Sequence, residues 1–182
     1  MSYRVEQLAR VTMMLSLVRS TVPAYAVALN NARIESALVH GRALAYFLRA
    51  DAPGKGDLHI WHYSKSAWKD GSLAITSVAS KVIKQASKHL AHAAIGDQGW
   101  EPHPGAWPLP EMAMILSRGL SDFVHALEVT HPDRAALFGE QPSEAYHSLI
   151  AQVPGFGFTE ISDHPEVADL TRSLQAYILD NH

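Results

Sequence analysis

Apolar residues recur at spacings of three and four along most of this chain, the signature of amphipathic helices rather than strands. From about Tyr3 to Arg19, the residues Leu8, Val11, Leu15, Val18 and Val22 form one such stripe. Thr21-Val22-Pro23 then reads as a cap followed by a proline tolerated in a first turn. Good helix formers follow to Ala50, with a kink or break expected at Asn30-Asn31. Within this stretch Ile34, Leu38, Gly41, Leu44, Ala45 and Leu48 share one face at roughly 100° per residue, and Tyr46 and Phe47 widen it. A helix apolar on most sides belongs in the middle of a bundle, and Gly41 on that face would let another helix approach closely.

Asp51-Ala-Pro-Gly-Lys-Gly ends this helix. The aromatic segment Asp57 to Asp70 has no clean period and reads as an irregular or short helical connection over the bundle. A further helix is expected from about Leu73 to Ile95. Ile75, Val78, Ala79, Val82, Ala86, Leu90 and Ala93 would face inward, and Lys81, Lys84, Gln85 and Lys88 outward. Gly96 to Pro108 is a loop, after which Pro110 opens a helix to about Val129 with Met112, Ile115, Leu116, Leu120, Phe123 and Leu127 as its apolar set. The remainder reads as short helices divided by proline and glycine. Pro132 and Pro142 suit first turns, and Asp163 with Glu166 has capping-box spacing before a last helix, about Pro165 to Leu179. The expected fold is therefore all-α: a four-helix up-and-down bundle over residues 1–130, with short C-terminal helices, 131–182, packed on the same core as a single domain.

Composition narrows the function classes. With 47% hydrophobic residues the chain can bury a substantial core, and a net charge of −3 argues against a general nucleic-acid coat. No cysteine is present, which removes disulfides, thiolate metal sites and a cysteine nucleophile. No apolar run approaches the ~20 residues that span a bilayer. The N-terminal residues lack signal-peptide character, so a cytoplasmic protein with no membrane partner is expected.

The residues best placed for chemistry fall in two helices. One carries His40-Gly-Arg42-Ala-Leu-Ala-Tyr-Phe-Leu48, the other Lys88-His-Leu-Ala-His92. An arginine in so apolar a helix must snorkel, pair with another segment such as Asp57, or face a polar cleft, because a buried unpaired charge is heavily penalised. His40 lies roughly 160° around the helix from Arg42, so any joint site needs a second helix or a second subunit. Lys88 and His92 share a flank, while His89 falls in the buried stripe.

The paired pattern H-x-R-x-L-x-x-F-L and K-x-L-A-H resembles a family of small, mostly actinobacterial helical proteins of unknown function, over residues 32–128. The second half also resembles the HEPN superfamily of helical bundles, which includes dimeric RNA-cutting toxins and noncatalytic relatives. That resemblance implies a homodimer and an RNA or nucleotide partner. Catalysis in the superfamily needs an arginine four to six intervening residues before the histidine; counted back from His92, those positions hold Ser87, Ala86 and Gln85. Lys88 is one position too close, and lysine lacks the planar fork that clamps phosphate bidentately.

The reading that follows is a HEPN-like, noncatalytic binding or regulatory module needing no cofactor and carrying no DNA-specific motif. Its ligand-binding candidates are His40, Arg42 and Asp57. The alternative is a degenerate, metal-independent ribonuclease with His92 as general acid or base and Lys88 steadying a phosphate. A second alternative is a histidine-ligated metal protein, since His59 and His62, and likewise His89 and His92, are one turn apart. Neither couple has the four-residue spacing and adjacent glutamate of the familiar zinc helix.

Overall fold

In the computed structural model, residues 23–49, 59–63, 72–95, 107–138, 158–163 and 165–180 are described, without the side chains of 23–30, 61, 72–74 and 91–95. The expected helix at Tyr3–Arg19 and the turn at Pro142 lie outside these residues, as does Asp57. The fold is all-helical: five α-helices and two 3-10 turns, with no strand among the described residues. They are α1 (Pro23–Leu48), α2 (Ser72–Ile95), α3 (Leu109–Thr130), the one-turn α4 (Pro132–Ala135) and α5 (Pro165–Asp180). The 3-10 turns are Ile60–His62 and Ala136–Phe138.

Helix α1 is continuous through Asn30-Asn31, where a break was expected. Two residues of modest propensity cost only a few tenths of a kcal/mol each, too little to interrupt a helix held by tertiary packing. All six residues of the predicted inner face of α1 are buried, as is Phe47. Tyr46 is not part of that face; it stands on the solvent side in line with Ala32 and Val39, at seven-residue intervals. So α1 is not enclosed on all sides.

Two glycines set the closeness of the packing. A Cβ on Gly41 would sit 2.7 Å from Met112 Cε, and one on Gly119 would overlap Ile75 Cδ1 and lie 3.3 Å from Leu48 Cδ1. Gly41 meets Met112 and Leu116 while Leu48 meets Gly119, so α1 and α3 run parallel; Ile75 meets Gly119 and His89 meets Trp107, just before α3, so α2 is antiparallel to α3. Ile75, Val78, Ala79, Val82 and Ala86 of α2 and the whole predicted apolar set of α3 are buried.

Helix α5 contributes Val167, Leu170, Leu174 and Ile178 to the same core as α1, α2 and α3. It begins at Pro165, whose fixed φ suits a first turn. The far end of the core is closed by aromatic rings. Phe47 and Phe123 meet edge-on at 5.7 Å, and Tyr63 lies 4.9 Å from Phe138. Pro132 opens α4, as expected, and Arg134 Nη1 donates to the Tyr63 carbonyl, tying this turn to the 3-10 turn at Ile60–His62.

Candidate functional site

Lys88 is on the outer flank of α2, and its ammonium donates to both carboxylate oxygens of Glu166 on α5, at 2.6 and 2.7 Å. One turn pair earlier, Lys81 donates to Ser173 Oγ at 2.6 Å and approaches Asp169 Oδ2 at 3.5 Å. The spacing explains the match: positions 81 and 88 lie two turns apart on α2, as 166 and 173 do on α5, and the numbers run in opposite senses. The two helices are therefore antiparallel, and the basic flank of α2 meets an acidic and hydroxylic flank within its own chain. Lys84 remains exposed.

Arg42 takes another course. Its guanidinium carbon lies 5.6 Å from the centroid of the Tyr46 ring, one turn ahead on α1, and Arg49 approaches the same ring at 5.6 Å. A half-exposed arginine over a half-exposed tyrosine ring keeps its charge hydrated, which answers the desolvation problem without a cleft. His40 is half-buried and already engaged in a contact. It lies on the other flank of Gly41, which itself faces Met112. The structure thus joins Lys88 to Glu166 and Arg42 to Tyr46, and neither cation to the other. The His92 side chain and Asp57 lie outside the described residues.

The first histidine couple serves the turn in which it occurs. His59 is buried, and its backbone N–H donates to His62 Nδ1 at 3.1 Å, so the His62 ring folds back on its own 3-10 turn. His89 packs edge-on against buried Trp107, with ring centroids 5.1 Å apart. Among the described residues no group of three histidine, aspartate or glutamate side chains gathers as a metal would require.

The most developed polar arrangement involves residues that periodicity did not single out. Glu111, in the first turn of α3, is fully buried. Its Oε1 accepts the Thr159 backbone N–H at 2.5 Å and the Gln175 amide at 3.3 Å, and its Oε2 accepts the Thr159 hydroxyl at 2.7 Å. Gln175 also donates to the Thr159 carbonyl at 2.7 Å. A carboxylate at a helix N-terminus is electrostatically favoured there, and these donors offset its removal from water. The arrangement fastens Thr159 and its neighbours between α3 and α5. A glutamate beside Pro110 in a first turn is so common that the sequence gives no sign of its burial.

Farther along α3, Tyr177 of α5 has its phenol pKa raised above the usual 10.0, first by burial and next by the Asp122 carboxylate, with Arg118 opposing. No described helix is long and apolar enough to cross a membrane. Comparison of the chain with protein-family models, with curated proteins and with solved structures found no match.

Proposed function

We propose that this protein is a noncatalytic binding or regulatory module on a HEPN-like four-helix bundle, acting as a homodimer on an RNA or nucleotide partner. The observation that carries the noncatalytic reading is the two-oxygen ion pair of Lys88 with Glu166. A cation that is to steady a transferring phosphate must be free to meet the developing charge, and Lys88 is neutralised by a carboxylate of its own chain. Arg42, the other strong cation of the pattern, is held by a different helix face against Tyr46. Arginines and tyrosines at a surface are the residue types that dominate binding energy at interfaces.

Incubation of stoichiometric purified protein with end-labelled single-stranded RNA tests the reading. Intact RNA after prolonged incubation is the expected result. Cleavage that disappears in His92→Ala overturns it in favour of the ribonuclease. Light scattering tests the dimer separately, and a monomer mass at micromolar concentration removes that part.

A further inference from the structure

Thr159 is a polar residue of its segment, and it is the one that is fastened. Its N–H and hydroxyl donate to the two oxygens of buried Glu111, and its carbonyl accepts the Gln175 amide. The large apolar side chains beside it are left in solvent: Phe158 is 48% exposed and Ile161 45%. A segment that folds back to bury itself does the reverse, enclosing its aromatic and aliphatic side chains and leaving its hydroxyl to water. Leu179, 67% exposed, stands one turn beyond Gln175 on the same side of α5. Its Cα lies about 6 Å along the helix from that of Gln175, and the Cα atoms of Phe158 and Ile161 lie within about 8 Å of that of Thr159. Three exposed apolar residues therefore border one fixed polar node.

Charge around the node has one dominant sign. Glu160, Asp163 and Asp180 are exposed, and Arg172, one turn before Gln175, is the exposed cation that opposes them on α5. Residues 158–163 carry no lysine or arginine. Farther round α5, Arg118 and Asp122 act on Tyr177 in opposite senses and offset each other.

We propose that residues 158–163, with Leu179, form a docking surface for another protein. The partner's apolar side chains cover Phe158, Ile161 and Leu179, and its lysines or arginines meet Glu160, Asp163 and Asp180. This goes beyond the RNA or nucleotide reading and does not depend on it. The carboxylates repel RNA phosphates and anionic lipid headgroups, so charge selects a cationic partner. The apolar side chains select an amphipathic protein segment over a polar polycation. Glu111 and Gln175 already hold the Thr159 backbone, so the segment loses little freedom when it is covered.

Fluorescence anisotropy of a labelled amphipathic peptide of two leucine-and-lysine heptads, titrated with the full chain, tests the surface. The peptide binds, with an affinity that falls as salt rises. Phe158→Ser and Ile161→Ser each weaken binding at least about tenfold. Glu160→Gln combined with Asp163→Asn lowers both the affinity and its salt dependence. Val39→Ser, at an exposed apolar position of α1, leaves binding unchanged. Circular-dichroism melts separate docking from folding, and Leu179→Ser on α5 serves as the second variant if Phe158→Ser lowers the midpoint.

Failure of the peptide to bind overturns the proposal. So does binding indifferent to Phe158, Ile161 and Leu179, or equal binding of the same peptide with glutamate in place of lysine. A dimer mass in light scattering that Phe158→Ser reduces to the monomer assigns the surface to a second copy and overturns the separate partner. RNA binding by these variants matches the parent, so a failure of the RNA reading is told apart from a failure of this one.

Discussion

Lys88 and Glu166, 78 positions apart in the chain, face each other with both carboxylate oxygens within hydrogen-bond distance of one ammonium. With their side chains 48% and 40% exposed, water competes for both groups. A double-mutant cycle with Lys88→Met and Glu166→Gln is expected to give a coupling of about 0.5–1 kcal/mol by urea denaturation. The reversed pair, Lys88→Glu with Glu166→Lys, should recover most of that coupling. A coupling near zero would show that the pair fixes geometry without adding stability.

The buried Glu111 carboxylate predicts a larger effect. Glu111→Ala removes the acceptor of the Thr159 N–H and hydroxyl and one of the two acceptors of the Gln175 amide, in a partly buried site. The expected loss is about 2–3 kcal/mol in chemical denaturation. Thr159→Val, which removes the hydroxyl and retains the backbone donor, should cost about half as much. If Glu111→Ala is nearly neutral, the 158–161 segment does not depend on this acceptor.

The two packing glycines should respond unequally to alanine. At Gly41 the added methyl meets the end of the flexible Met112 side chain, which can rotate aside. The helix-propensity gain of about 1 kcal/mol then offsets the crowding, and Gly41→Ala is close to neutral. At Gly119 the methyl is caught between Ile75 and Leu48, so Gly119→Ala should destabilise by about 1–3 kcal/mol. Adding Ile75→Val, which deletes the obstructing Cδ1, should restore part of the loss. Thermal melts of the three variants decide the matter.

Tyr177 gives the stability a pH dependence in the alkaline range. Burial and Asp122 raise its pKa above the usual 10.0, so the folded state holds the phenolic proton more firmly than the unfolded state does. Stability is therefore fully present below pH 10 and declines as the pH climbs from there toward the folded value. Tyr177→Phe should flatten this decline without changing stability at neutral pH by the same amount. Denaturation midpoints of the two proteins between neutral and alkaline pH, compared at equal ionic strength, provide the check.

Periodicity made the inner faces of α1, α2 and α3 legible, because a buried helical stripe leaves a three-and-four pattern whatever it packs against. Gly41 was legible for the same reason: a glycine in the middle of an apolar face has few other uses. Partners across the chain left no such trace. The sequence shows three outward lysines on α2, but nothing within α2 indicates that Glu166 and Ser173 come to lie opposite Lys88 and Lys81. Glu111 was missed because its burial is decided by Thr159 and Gln175, which are distant in sequence. The cation–π approach of Arg42 to Tyr46 follows from a one-turn spacing present in the sequence, yet Tyr46 read as part of the apolar surface. Its solvent position is set by Gly41 and Leu44 turning the opposite side of α1 toward the core.

The contacts that secure α5 reach back 78 to 92 positions to α2. About 50 residues separate the end of α3 from the end of α5. At about 5–20 residues per second, a ribosome needs some 3–10 s to supply them. For that interval the seam later filled by Val167, Leu170, Leu174 and Ile178 stands open on a nascent chain whose first three described helices are already made. Late closure of this kind gives a holding chaperone a period in which to act, and gives two nascent copies the opportunity to exchange α5.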